Sequence, residues 1–243
     1  MENAEWYVDW FNSPYYHLLY NHRNDREAIS FIDHLCSKLD LKPHYKIWDL
    51  ACGKGRHAIA LNKNGFDVIG TDLAENSIRE ASGFSNPTLE FLVHDMRDPF
   101  KENFFDAVFN VFTSLGYFKD FQDNFLVFEN VARSLKKEGE FVVDFFNAER
   151  VLSSFKSDYV EQRGNITFEI RKVIANNAII KHIEFNSGEK NYYFEESVSL
   201  LRKEHFLQFA ERAGLTLHHT FGNYKLEAFD EKTSERLILI FKK

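Results

Sequence analysis

Cysteine is scarce in this chain. Cys36 and Cys52 are the two among 243 residues, too few for a disulfide framework or a thiolate zinc cluster. They are expected to be reduced thiols of an intracellular protein. No apolar run approaches the ~18 residues that a membrane-spanning helix needs. The segment Met1 to Asp9 has neither a basic nor an apolar stretch, so it does not read as a signal peptide. Positive charge is in deficit: 30 Lys and Arg against 37 Asp and Glu leave a net charge of −7, which argues against nucleic acid as the default partner. Tracts rich in Pro, Gly or Ser are missing, as are internal repeats, so no linker divides the chain. These absences predict a cytoplasmic protein with no metal, membrane or nucleic-acid partner.

What is present is a globular composition, with 44% apolar and 28% charged residues and 26 Phe for an aromatic core. The length suits a single domain, 1–243, able to bury a sizeable core. The first 44 residues read as a helical cap. Asp25 is placed to start a helix whose apolar residues Ile29, Ile32, Leu35 and Leu39 follow helical spacing, and Pro43 lies past its end. Strand-like runs then alternate with helices. Strands are expected at Tyr45–Leu50, Phe66–Thr71, Leu89–His94, Phe104–Val111 and Glu140–Phe146. Helices are expected at Arg56–Asn64, stopped by Gly65, at Asn76–Ala81, and at 120–137, where Phe121, Phe125, Phe128, Ala132 and Leu135 share a face and Gly139 is the stop. This rhythm predicts an α/β fold of βαβ units with a parallel sheet and a ligand crevice at the strands' carboxyl ends.

After Asn147 the rhythm changes. Ile166–Ile174, Ala178–Phe185 and Tyr192–Leu200 are β-rich, with Asn176-Asn177 and Asn186-Ser187-Gly188 as turns. They read as an antiparallel meander, an insertion at about 158–200 whose turns reach over the crevice or form a subunit contact, as in a homodimer. A helix at Lys203–Ala213 stopped by Gly214, and two strands near Leu215–Phe221 and Arg236–Phe241, complete the chain.

Chemistry concentrates in Asp49-Leu50-Ala51-Cys52-Gly53-Lys54-Gly55-Arg56-His57. Glycines at a strand-to-helix turn let a ligand approach the backbone, and the helix start offers free N–H groups. Asp72 ends the next strand, where a carboxylate can take both hydroxyls of an adenosine ribose. Asp95 ends the third, where it can accept from an adenine amino group, with Met96 beside the ring. Each feature alone has a bland structural reading, a turn or a cap. Successive strand ends at one sheet edge outline an adenosine site.

These residues resemble the class I S-adenosylmethionine (SAM) dependent methyltransferases over about Tyr45–Phe146. Asp49-x-x-x-Gly53-x-Gly55 is similar to the family's first motif, Asp72 to its ribose acid, and Asp95-Met96 to its adenine contact. The resemblance implies a Rossmann-like, mainly parallel seven-stranded sheet with a reversed terminal strand and helices on both faces. It places SAM, and its product S-adenosylhomocysteine (SAH), along Ala51, Cys52 and Gly53, with Asp49 near the methionine moiety. Gly55, Arg56, His57 and Leu73 join the expected cofactor contacts. Asn110-Val111-Phe112 looks like the fourth motif, under the transferable methyl. The run Phe112–Phe118, the pair Tyr16-x-x-x-Tyr20 over the cofactor, and the insertion resemble a subset acting on small molecules.

In-line methyl transfer depends mainly on proximity and needs a base only if the acceptor loses a proton during attack. His17, Tyr117 and Asp144 are the candidates, with His57 and His94 considered by position. Asp144 faces either the crevice or a polar contact in the core. Asn110-Val111-Phe112-Thr113 lacks the prolines of the planar-amine motif, which lowers the odds of DNA adenine or protein glutamine as acceptor. Two other readings stand beside this one: a SAM-binding protein without transferase activity, and an NAD-dependent oxidoreductase using Gly53-x-Gly55-x-x-Ala58.

Overall fold

The computed structural model describes residues 6–20 and 25–243. The strands are β1 (Lys46–Leu50), β2 (Asp67–Asp72), β3 (Leu89–Val93), β4 (Phe105–Asn110), β5 (Leu135–Phe146), β6 (Asp158–Arg163), β7 (Ile166–Ala175), β8 (Ala178–Ser187), β9 (Lys190–Ser199), β10 (Thr216–Phe221) and β11 (Arg236–Lys242). The helices are α1 (Trp6–Phe11), α2 (Pro14–Leu19), α3 (Asp25–Lys38), α4 (Arg56–Lys63), α5 (Glu75–Ala81), α6 (Phe121–Ser134), α7 (Ala148–Ser153) and α8 (Lys203–Arg212). None is long and apolar enough to cross a membrane among the described residues.

A seven-stranded sheet runs in the order β10-β11-β5-β4-β1-β2-β3. Its pairs are parallel from β3 to β5, and β11 runs antiparallel to both its neighbours. Central strands covered on both faces need apolar residues at every position rather than alternate ones, and β4 is buried at Ala107, Val108, Phe109 and Asn110. One face packs Trp48, Val108, Phe128, Phe141 and Phe241 with α6 and α8; the other packs Ile47, Leu61, Phe109, Val142 and Ile240 with α3 and α4.

The meander forms its own antiparallel sheet, β6-β7-β8-β9. Asn176 and Asn177 both have positive φ (51° and 56°), the two-residue turn their types predict. Ser187 pairs with Lys190, so the second turn is Gly188-Glu189 rather than Asn186–Gly188. β6 also joins this sheet, a strand with no sequence signal beyond half-buried alternate residues. The sheet's inner face, with Phe168, Ile170, Ile183 and Phe185, packs against Trp10 and Leu19 of the cap.

Two helical faces differ from the expected ones. α3 buries Ala28, Phe31, Ile32 and Leu35 and leaves Ile29 45% exposed; Asp25 is the first residue of the helix, and the side-chain cap expected of it lies outside what is described. α6 buries Val127, Phe128 and Val131 while Phe121 is 37% exposed. Asn124 takes an inward position instead, fully buried, accepting a hydrogen bond from Gly116 N at 3.0 Å. α6 ends at Ser134, not near 137. Leu135 turns to an extended conformation and is buried, so Gly139 lies inside β5 near a register shift rather than stopping a helix.

Candidate active site

The carboxyl ends of β1, β2 and β4, partly roofed by α1 and α2, line a cleft of about 550 Å³. Its floor is the turn after β1. Ala51, Gly53 and Gly55 all have left-handed backbone (φ 62°, 55° and 81°). A Cβ on Gly53 would meet nothing within 4 Å, and this residue lines the cavity. A Cβ on Gly55 would lie 2.5 Å from Phe91 Cε1. Gly55 therefore lets α4 pack on the sheet, and it does not line the cavity as expected of a cofactor contact. The Cys52 thiol lines the cavity but is held well above its ordinary pKa by burial, reinforced by Asp49 and Asp72. Burial thus disfavours the thiolate that a nucleophilic role would need.

Asp72 ends β2 with its carboxylate oriented by two backbone donors, Gly53 N to Oδ2 and Ala74 N to Oδ1, both at 2.8 Å. Burial raises its pKa against those bonds. Asp49 sits below the turn, 1% exposed and outside the cavity lining, with Oδ2 unpartnered among the described residues. Burial lifts its pKa to about 7; Asp72 adds to the rise, while the Ala58 N–H and Arg56 oppose it.

His94, Asp95 and Met96 line the wall after β3, with Leu73 beside them after β2. Asp95 has a partner the sequence did not suggest: Arg97 bonds both oxygens, with Nη2 2.6 Å from Oδ2. Burial pushes the Asp95 pKa up, but Arg97 outweighs it and the carboxyl lies below its ordinary value. His94 is pushed down by burial.

The turn after β4 supplies Val111, Phe112, Thr113 and Ser114. Asn110 is drawn away, its Nδ2 donating to Leu50 O at 3.1 Å, and does not line the cavity. Phe112 and Thr113 both have positive φ (62° and 63°), a strained conformation for a bulky and a β-branched residue. Phe112 stacks with His57 (4.9 Å) and Tyr224 (5.2 Å), and the Arg56 guanidinium lies 4.2 Å from its centroid. Asp144 holds this turn from outside the cavity, accepting from Phe112 N (2.8 Å) and Arg236 Nε (2.7 Å). Of its two expected settings it has the core contact, which removes it as a candidate base. Tyr117 does face the cavity, its hydroxyl donating to the Thr113 carbonyl.

The cap adds Tyr7, Phe11, Tyr16, His17 and Tyr20. Phe11, and Ser77 and Phe84 below it, were not singled out by sequence. Tyr15 turns the other way, against Phe185 and Tyr192. His17 approaches Ser77 Oγ at 3.3 Å, and its pKa falls to about 4 through burial, with Lys54 lowering it further and Glu80 opposing. At neutral pH it is an uncharged imidazole. No cluster of three or more metal-ligating side chains occurs among the described residues.

Residues 48–143 match the family model described as a methyltransferase domain. The chain is 29% identical over 202 residues to the putative methyltransferase YqeM of Bacillus subtilis, covering 79% of this chain and 81% of that protein. A SAM-dependent methyltransferase from Clostridium acetobutylicum superposes with a TM-score of 0.79 at 20% identity, covering 94% of this chain and 95% of the other. Residues 48–143 thus match a methyltransferase domain, and the chain has the fold of SAM-dependent methyltransferases. Another methyltransferase of this fold, the sugar N-methyltransferase KedS8 from Streptoalloteichus, gives 0.72 at 18% identity over 94% and 92% of the two chains. The matched methyltransferase domain, which contains the glycine turn, favours the methyltransferase reading of that turn over the dinucleotide one. The meander supports the cap, which in turn roofs part of the cavity.

Proposed function

We propose that the cavity holds SAM along the carboxyl ends of β1 to β4, and that the methyl acceptor is a small molecule bound beneath the cap. When bound, SAM supplies a methyl group activated on a sulfonium sulfur. The observation that carries this reading is Asp72: a carboxylate lining the cavity, with both oxygens pre-oriented by backbone donors and lone pairs left for two ribose hydroxyls. The open side of Gly53 gives room for the methionine portion, and the unpartnered, buried oxygen of Asp49 favours a cation nearby. Arg56 provides positive charge on the same wall for a carboxylate, and Asp95 and Met96 are placed for the adenine.

On the acceptor side the walls are Tyr16, Tyr20, Tyr117 and Phe112, which exclude water and orient the attacking atom toward the sulfur. Neutral His17 can take a proton from the acceptor if one must leave. A cleft of this size, partly roofed by α1 and α2, suits a small molecule better than a polymer. KedS8, named as a sugar N-methyltransferase, shares the fold and points the same way. The two cysteines are free, which fits a reducing compartment such as the cytoplasm.

The test is transfer of labelled methyl from SAM in a cell extract depleted of the endogenous cofactor. Label is expected in the low-molecular-mass fraction. Label confined to protein or nucleic acid would overturn the small-molecule reading.

A further inference from the structure

Glu196 is a carboxylate in an unusual place, 6% exposed in the middle of β9 on the face turned toward the cap. It lies opposite Lys181 in the β8–β9 register. Its Oε1 accepts from the Trp10 indole N–H at 2.7 Å and the Tyr20 hydroxyl at 2.8 Å; its Oε2 accepts from Lys181 Nζ at 2.8 Å. Lys181 Nζ also donates to the Tyr20 hydroxyl oxygen at 2.9 Å. The network is closed: the Tyr20 hydroxyl donates to the glutamate and accepts from the lysine.

Two apolar side chains would fill such a site with less desolvation cost than an ion pair. What the pair supplies is direction. Trp10 belongs to α1 and Tyr20 follows α2, so one carboxylate fixes both cap helices at two points ten positions apart. Trp10 is fully buried and outside the cavity, whereas Tyr16, His17 and Tyr20, carried by the same helical pair, line it. Of the other cap contacts to the insertion sheet, Arg163 Nε donates to the Leu19 carbonyl at 3.2 Å at the end of α2, while those of Trp10, such as its ring on Phe194 at 4.4 Å, are ring packing, which tolerates sliding.

We propose that Glu196 is a positioning residue for the cofactor cleft, anchoring the α1–α2 cap through Trp10 and Tyr20 so that Tyr16, His17 and Tyr20 form the cavity wall. The inference rests on the reading of this cavity as the SAM site. It makes the insertion sheet a template for the site although Glu196 itself touches no ligand.

Amide hydrogen exchange and SAH titration of the full chain test it together. Glu196→Ala is expected to speed exchange over residues 6–20 and leave β4 and β5 unchanged. It should also weaken SAH binding at least about tenfold, about 1.4 kcal/mol. Lys181→Met combined with Glu196→Gln keeps an oxygen acceptor without stranding an ammonium, and should recover most of both effects. Trp10→Phe removes one donor outside the cavity and should move both readouts in the same direction as Glu196→Ala. Faster exchange everywhere in Glu196→Ala with no rescue by the double variant would mean a general stabilising role and overturn the proposal. So would wild-type affinity in Glu196→Ala despite a loosened cap. If Glu196→Ala does not fold, unchanged exchange and affinity in Trp10→Phe overturn it. Failure of the wild-type chain to bind SAH would instead strike the cavity reading, and the exchange result would still decide the anchoring.

Discussion

The Asp144 carboxylate lies 2.7 Å from Arg236 Nε across antiparallel strands β5 and β11, and both residues are bonded to the Phe112–Thr113 turn. Asp144 accepts from Phe112 N, and Arg236 Nη2 donates to Thr113 Oγ1 at 3.0 Å. The reversed strand thus holds in place two residues with left-handed backbone at the mouth of the cavity.

Removing one member of such a pair leaves the other buried without compensation, at a cost of about 3–5 kcal/mol. Asp144→Ala is expected to lower the unfolding free energy by about 3 kcal/mol or more, measured by urea denaturation. Asp144→Asn, which can still accept from Phe112 N, should cost less. Equal losses for the two would show that the Phe112 bond is immaterial.

Gly53 and Gly55 should separate binding from folding. Gly55→Ala forces a Cβ against Phe91 at 2.5 Å and is strained at φ 81°, so overpacking alone predicts about 1–3 kcal/mol of lost stability. Gly53→Ala meets no atom within 4 Å and carries only the left-handed strain, about 1 kcal/mol. Its methyl group enters the cavity, so its main effect should be on SAH affinity. Denaturation and calorimetry on both variants check this; a Gly55→Ala variant as stable as wild type would contradict the packing argument.

The parallel core was legible because its strands are largely apolar and run into Gly or Asp: β2 ends at Asp72, and β1 and β3 are followed within three residues by Gly53 and Asp95. The Ala51–Gly55 turn and Asp72 were legible for the same reason: their residue types answer a local backbone demand. Long-range partners were not. Arg236 on Asp144 and Lys181 on Glu196 look in sequence like ordinary surface charges. Glu196 alternates with Tyr193 and Glu195 in a strand whose two faces differ only once the cap is in place. Asp49, Gly55 and Asn110 belong to the motif by spacing, yet the structure uses their side chains or lack of one beneath the cavity. α6 misled because Asn124 occupies an inward position that apolar periodicity gives to Phe.

Asp49 gives a pH signature. Its native pKa, about 7, lies above the ordinary aspartate value of 3.8, so between those values the native state keeps a proton the unfolded chain releases. Stability contributed by this group is present at about pH 4 and lost as pH rises toward 7. His17, lowered from 6.5 to about 4, has the opposite slope over part of that range, so the comparison must be with a variant. Thermal unfolding of Asp49→Asn across this window should show the wild type losing stability relative to the variant as pH rises. A constant difference would contradict the account.

The most direct measurement is calorimetric titration of the chain with SAH, alongside NADH and the Asp72→Ala variant. On the proposed reading the Asp72 carboxylate takes two ribose hydroxyls, and hydrogen bonds to a charged group contribute about 1.5–3 kcal/mol each. Saturable SAH binding is expected in the wild type, weakened at least about tenfold by Asp72→Ala, with no response to NADH. Saturable NADH binding without SAH binding, or SAH affinity indifferent to Asp72, would contradict the site described above.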